Sequence, residues 1–323
     1  MKKEYQGPRP MEKLAKILHA EFSNGEIVIP ASKGKGFIRG MRPNEHLGIL
    51  IANYHLYEEI AMQSSIPVFK TSGFAQAKDV PSYLLFQFKN CFPTAEESSE
   101  APTVQVSTMN VFMENDLLKA HNRADVYITI SSAFLMSQIP NYKESKLLEQ
   151  IMENRQPLFF ENCINGKQVA LIQEITKNCN DSIFRAYNLS NKANELVCQL
   201  LMSLCDRSEK TLYPIHPDDL QNIYKARNQM LSSLNTPPVI SLLAADAGMS
   251  ESKFKRLFKQ IFGDSVFHYY QLRRMQKAAS LLDTAQYSVT EVGYRMGFTN
   301  LSHFSRQFEA IIGSKPKQYM KRN

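Results

Sequence analysis

The sequence predicts an α+β protein in three parts. A β-rich barrel or sandwich spans 1–140 and a helical segment spans 141–210. An all-α domain over 211–323 carries two helix-turn-helix motifs, at about 239–262 and 289–312. Three observations predict this. Before residue 140, apolar residues alternate with period two in short runs, as half-buried strands require. From Asn141 onward they recur at spacings of three and four, as helices require. Between 239 and 323, one pattern occurs twice: an apolar segment, a Gly turn and an amphipathic helix.

Charge separates the parts. Residues 211–323 hold 15 Lys and Arg against 8 Asp and Glu, a balance of +7, whereas residues 1–210 hold 23 of each. The whole excess of the chain sits on the all-α domain, which points that domain towards polyanions. At 323 residues there is length for two or three domains. The five cysteines, Cys91, Cys163, Cys179, Cys198 and Cys205, include no CxxC pair, which fits a reducing cytoplasm and argues against a zinc ribbon. Cys198 and Cys205 read as small buried apolar residues of a helix. No apolar run approaches a membrane span, and MKKEYQGPRP lacks the apolar core of a signal peptide, so the expected location is the cytoplasm.

In chain order, Glu12–Phe22 is a short helix with Leu14, Ile17 and Leu18 on one side. Glu26–Pro30, Gly36–Gly40 and Leu47–Asn53 are strands bounded by Gly, Pro or Asn. Tyr83–Lys89 places Leu84, Phe86 and Phe88 on one face. Thr103–Met109 and Asp125–Ser131 alternate in the same way. The acidic stretch Ala95–Pro102 reads as an exposed loop. Asn141 and Glu144 make a capping box ahead of Leu147, Leu148 and Ile151, and Pro157 ends that helix. A further helix lies in Lys167–Lys177. Ser190–Asp206 carries a stripe of Ala193, Leu196, Val197, Leu200, Leu201 and Leu204, which must be buried against its own β-domain or against the same helix of a second chain. Leu212–Pro217 is a linker and Asp218–Leu234 the next helix.

The first motif runs Val239–Ala247, a turn at Gly248–Met249, and a helix Glu251–Ile261 capped by Ser250. Phe254, Leu257, Phe258 and Ile261 form its inner face, and Ser252, Lys253, Lys255, Arg256 and Lys259 its outer face. In the second, Val289–Met296, Gly297–Phe298 and Asn300–Ile311 repeat the plan. Phe304, Phe308 and Ile311 lie inside, and Leu301, Ser302, His303, Ser305 and Arg306 outside. Phe267–Leu282 is one connecting helix, ~24 Å long at 1.5 Å per residue. Such a spacer suits two reading helices about one DNA turn apart, ~34 Å. An apolar face opposite a basic one is what a helix entering the major groove needs.

The segments LLAADAGMSESKFKRLFKQIFGDS, RMQKAASLL, VTEVGYRMGFTNLSHFSRQF and IIGSKPKQY resemble the DNA-binding domain of the AraC family of bacterial transcription regulators, over about the last third of the chain. The departures are Gly293 where Ala is usual, Glu309 where a basic residue is common, and Met320 where Arg often follows the Tyr. The latter two weaken local phosphate contacts, although Lys321 and Arg322 follow. The resemblance implies a regulator that binds double-stranded DNA and contacts RNA polymerase. It also implies an N-terminal domain that binds a small-molecule effector, and a homodimer, so it favours the second chain as the cover of the Ser190–Asp206 stripe. Carried onto this sequence, Ser252, Lys255 and Arg256 read bases, with Lys253 and Lys259 nearer phosphate. In the second motif Leu301, Ser302, His303 and Arg306 read, with Leu301 against a thymine methyl.

Competing chemistry is weak. A cupin-type metal site needs a close His pair with further ligands, and His46 and His55 stand nine apart with no HxH. Gly34–Lys35–Gly36 lacks P-loop spacing. No Ser/His/Asp or Cys/His arrangement stands out, so no catalytic residue, metal or cofactor is expected and the chain reads as a non-enzyme. Lys33, Lys35, Arg39 and Arg42 read as a solvated edge, with an anion-attracting patch as the alternative. Phe69, Phe74, Phe86, Phe88 and Tyr127 read as core or as pocket lining. The rival functions are a metal-dependent β-barrel enzyme fused to DNA-binding helices, and a DNA binder without an effector.

Overall fold

The computed structural model describes residues 10–58, 82–92, 102–108, 122–177, 183–207 and 212–320. The chain divides into two compact units, Met1–Pro214 and Ile215–Asn323. The helical segment expected at 141–210 folds into the same unit as the strands, and the boundary falls four residues beyond the expected one.

In the first unit, α1 (Pro10–Leu18) buries Leu14 and Leu18. It ends earlier than the pattern predicts. His19 takes a φ of 50°, and Phe22–Ser23 becomes strand β1. Strands β2 (Glu26–Val28), β3 (Gly34–Asn44), β4 (Leu47–Leu56), β5 (Tyr83–Lys89), β6 (Thr103–Thr108), β7 (Asn122–Ser131) and β8 (Phe159–Cys163) join it in one eight-stranded antiparallel sheet of order β1-β2-β3-β4-β7-β5-β6-β8. β3 is longer than predicted because it passes through Pro43. The register shifts between Met41 and Asn44, where proline has no N–H to give the ladder. Gly34 and Gly36 belong to this strand. A Cβ on either would overlap the β4 backbone, so their place in the sequence reflects close strand packing.

Register assigns every strand residue to a face. Phe86 lies opposite both Val106 and Ile128, so these three point the same way. With Ile49, Ile51, Leu84, Phe88, Val104, Val126 and Ile130 they make an apolar sheet face covered by α3 (Lys146–Glu153), α4 (Gly166–Lys177) and α5 (Arg185–Cys205). The α5 stripe is part of this cover: Ala193, Leu196, Val197, Leu200, Leu201 and Leu204 are each 2% exposed or less. The stripe is therefore occupied by the chain's own core and is not a seam for a second copy. A sheet face of this size needs a helix across it, and α5 supplies it. Cys198 and Cys205 fall off the stripe and are exposed, contrary to the expectation of burial. Ile183, Phe184, Tyr187 and Met202, at or on the same helix, are exposed too.

The opposite sheet face holds Ile38, Leu50, Ala52, Tyr54, Leu85 and Tyr127 against α1. Phe86 and Phe88 thus face away from Tyr127 and do not line a pocket with it. Phe69, Phe74, Cys179 and most of the acidic stretch lie outside the described residues.

Two caps differ from expectation. Asn141 makes no side-chain cap and precedes a 3-10 turn, Tyr142–Glu144. Ser145 caps α3 instead, accepting from the Leu148 amide at 3.4 Å. Asn154, at φ 49°, stops α3 ahead of Pro157. α2 (Ser132–Gln138) and β8 were not foreseen.

The second unit is helical: α6 (Pro217–Ser232), α7 (Ile240–Asp246), α8 (Glu251–Phe262), α9 (Val266–Asp283), α10 (Val289–Arg295), α11 (Leu301–Ile312) and α12 (Pro316–Met320). α7–α8 and α10–α11 are the two expected motifs.

Candidate nucleic-acid interface

Each motif is built from a cap, a Gly turn and an inner aromatic row. Ser250 caps α8 by accepting from the Lys253 amide at 3.3 Å. Asn300 caps α11 by accepting from the Ser302 and His303 amides at 3.0 and 3.2 Å. The turn glycines Gly248 and Gly297 take φ of 66° and 75°, which side chains with a Cβ rarely adopt. Phe254, Phe258, Phe304 and Phe308 are fully buried. Around Phe258, Phe262 and Tyr269 pack ring against ring, with centroids 4.5 and 5.4 Å away.

On the outer face of α8, Ser252, Lys255, Arg256 and Lys259 are exposed. Lys255 leans on Glu251 at 2.5 Å, a surface pair of small energetic weight that a phosphate can replace. Lys253 is placed differently. It is half-buried on the flank of α8, with its Nζ 2.9 Å from Asp219 of α6. On α11, Ser302, His303 and Arg306 are exposed, while Leu301 is half-buried. A Cβ added to Gly293 would lie 2.7 Å from Leu301 Cδ2, so the leucine occupies the space that an alanine there would contest. Leu301 thus helps to pack α11 on α10 instead of pointing only outward. Glu309 is exposed.

Sequence reasoning missed the residues that join the two motifs. Val266, Tyr270, Arg274, Ala278 and Leu282 recur every four residues along α9, and all are buried. Arg274 is the cation in this apolar row, which was a legible signal. Its Nε donates to the Met296 carbonyl at 2.7 Å, Nη2 donates to the same oxygen, and the guanidinium lies 3.8 Å from the Phe298 ring centroid. Tyr270 Oη donates to the Leu234 carbonyl at 2.8 Å. In the first half, Arg227 is likewise buried and its Nε donates to Tyr269 Oη at 2.9 Å.

In the first unit, polar side chains gather on the Tyr127 face of the sheet. Asp125 accepts from Gln87 Nε2 at 3.1 Å, Arg123 Nη1 at 3.1 Å and Tyr127 Oη at 3.2 Å. Gln105 donates to Glu161 at 2.9 Å. Gln87, Gln105, Asp125 and Glu161 are all buried. Burial raises the pKa of the Tyr54 and Tyr127 phenols and the Cys91 thiol, so all three stay protonated at neutral pH. Three members of the basic cluster at β3 are engaged locally: Arg39 pairs with Glu26, Lys33 donates to the Ile17 carbonyl at 3.2 Å, and Arg42 donates to the Glu45 carbonyl at 3.2 Å. His46 stacks on Phe134 with centroids 5.0 Å apart, and His55 bonds Asn122. Among the described residues, no group of three or more His, Cys, Asp or Glu is placed to hold a metal ion, and no helix is long and apolar enough to cross a membrane.

A family model described as a helix-turn-helix domain matches residues 243–322. The chain is similar to the HTH-type transcriptional regulator AlkR of Acinetobacter baylyi, 31% identical over 83 residues, covering 26% of this chain and 27% of AlkR. It is also similar to the arabinose operon regulatory protein of Escherichia coli, 27% identical over 127 residues, covering 39% of this chain and 43% of that regulator. The match thus spans less than half the length of these curated relatives. Among solved structures, the DNA-binding domain of AdpA in complex with a target DNA is 30% identical, with a TM-score of 0.30, covering 31% of this chain and 91% of that one. The C-terminal unit, with its two capped motifs on one connecting helix, is a double helix-turn-helix domain similar to the matched segments of these transcriptional regulators.

Proposed function

We propose that the chain is a sequence-specific transcription regulator that binds double-stranded DNA through α8 and α11. The observation that carries this is the exposed, outward set Ser252, Lys255, Arg256 and Lys259, with Ser302, His303 and Arg306, on two helices whose opposite faces are fully buried. Arg256 and Arg306 suit bidentate contact with guanine, and Lys255 and Lys259 suit phosphate. Lys253 and Leu301 take lesser parts, since one is tied to Asp219 and the other to Gly293.

The finer parts of the reading are a cytoplasmic, non-enzymatic protein that contacts RNA polymerase and responds to a small effector through its N-terminal unit. The effector part of the reading is supported by the buried polar set around Asp125, Gln87 and Gln105, which places hydrogen-bonding groups within an otherwise apolar sheet face, the kind of lining that orients a ligand. A homodimer is part of the reading, and its contact moves to the exposed side of α5, where Phe184, Tyr187 and Met202 stand. Tyr187→Glu is expected to split the dimer and leave the fold, whereas Leu200→Glu unfolds the first unit. Sedimentation and circular dichroism of both variants check this.

The test of DNA reading is selection from random duplexes with the full chain, followed by footprinting. The expected result is one enriched sequence with protection of two successive major grooves on one face. Binding without sequence preference would overturn the reading.

A further inference from the structure

Resting on the reading of α11 as a DNA-reading helix, we propose that Arg274 is a positioning residue for it. It acts through Phe298 and so sets which bases the second motif prefers, without touching DNA itself. Arg274 is 4% exposed and lies on α9, outside both motifs. Among the described residues its charge is met by one main-chain carbonyl and by the faces of Phe298 and Tyr270, not by a carboxylate. Both bonds to Met296 fall on the last residue before the turn glycine.

From Phe298 the contact continues outward. Its ring meets the His303 ring edge-on at 5.6 Å and the Phe304 ring at 5.3 Å. His303 is exposed and stands in the first turn of α11, where side chains reach base edges. The other side of the turn is held as well. Gly297 lies so close to Asn235 that a Cβ would overlap its carbonyl oxygen, and the neighbouring Leu234 carbonyl is held by Tyr270 of α9. The turn of the second motif is therefore gripped between α9 and the α6–α7 connection. The planar guanidinium suits this place because it donates twice to one oxygen and stacks flat on a ring, which an ammonium does not do.

The test uses Arg274→Met and Arg274→Lys in the full chain, with Phe298→Leu as a companion. In the DNA-free protein, Arg274→Met is expected to move the amide resonances of residues 298–306 and the His303 ring resonances, while residues 250–256 keep theirs. On the selected duplex, preference at the bases under α11 relaxes by roughly tenfold, while preference under α8 is retained. Arg274→Lys, which keeps a donor but loses the flat stack, gives an intermediate result. Should Arg274→Met fail to fold, Phe298→Leu, which leaves the bond to Met296, must give the same selective changes. Unchanged resonances over 298–306, or an equal loss of preference under both helices in a folded variant, would overturn the proposal. If the wild type shows no sequence preference, the DNA reading falls, and the resonances still decide whether Arg274 positions α11.

Discussion

The two helix-turn-helix motifs share a frame and differ in what they present. From the cap onward their frame residues correspond at an offset of fifty: caps Ser250 and Asn300, inner rings Phe254 and Phe304, then Phe258 and Phe308, and C-terminal glycines Gly263 and Gly313 at φ 80° and 86°. Apart from Arg256 and Arg306, the outward residues do not correspond in charge. Where α8 has Lys253, Lys255, Arg256 and Lys259, α11 has His303, Ser305, Arg306 and Glu309. Folding depends on the inner spacing and the caps, so these repeat. The outer positions cost the fold little, and the two motifs use them differently. The expected division is that α8 supplies most phosphate affinity and α11 mainly adds selectivity.

The largest effect concerns the turns. Gly248 and Gly297 have similar φ, but a Cβ on Gly248 meets nothing within 4 Å, while one on Gly297 overlaps the Asn235 backbone. Gly248→Ala should cost about 1–2 kcal/mol, the strain of a left-handed residue alone. Gly297→Ala should cost roughly 2–5 kcal/mol, with overpacking added. Hydrogen exchange across the C-terminal unit measures both, and equal costs would remove the distinction.

Next come the paired arginines. Arg256→Ala and Arg306→Ala should each cost ~1–3 kcal/mol on the selected duplex and relax preference under their own helix only. Titration against duplexes mutated in one groove at a time separates them.

A smaller change sharpens the electrostatic contrast. Glu309→Lys should tighten binding to all sequences and steepen the salt dependence by about one unit of slope, whereas Lys259→Ala should do the reverse. Binding titrated across salt concentrations reads both.

The smallest effect is at α10, which has a capping box, whereas Val239 at the start of α7 makes no side-chain cap. Ser288 and Glu291 bond reciprocally, and these bonds hold the Glu291 carboxyl below its usual pKa. A depressed carboxylate adds stability above its unfolded pKa and loses it as pH falls through its folded value. Glu291→Gln should therefore lower the melting temperature slightly at neutral pH, with the gap closing in acid. A gap that stays constant down to low pH would assign the effect to something other than the charge.

Much of the second unit was legible because its pattern is local: the Phe254–Ile261 row, the two turns and the caps all lie within a few residues of one another. Tyr83–Lys89 was legible for the same reason, through strict alternation. What was not legible depends on partners distant in sequence. The α5 stripe announces a buried face but not what covers it, and the answer is the chain's own sheet. Phe86 and Tyr127 both looked available to one pocket until strand register sent them to opposite faces. β8 is short and comes into being by pairing with β6, fifty-odd residues earlier. Lys253 and Leu301 look outward by periodicity. Asp219 and Gly293, on other helices, draw them to the flank.

The missing methyl at Gly293 bears on how such domains are re-engineered. Because the Leu301 Cδ2 methyl lies in that space, the side-chain conformation of Leu301 is coupled to the size of residue 293, like a key to its notch. Transplanting the outer surface of α11 into another scaffold would carry the key without the notch if position 293 were left behind. An exchange of specificity between regulators of this kind is expected to work best when residues 293 and 301 move together, because Leu301 otherwise has to swing its terminal methyl aside.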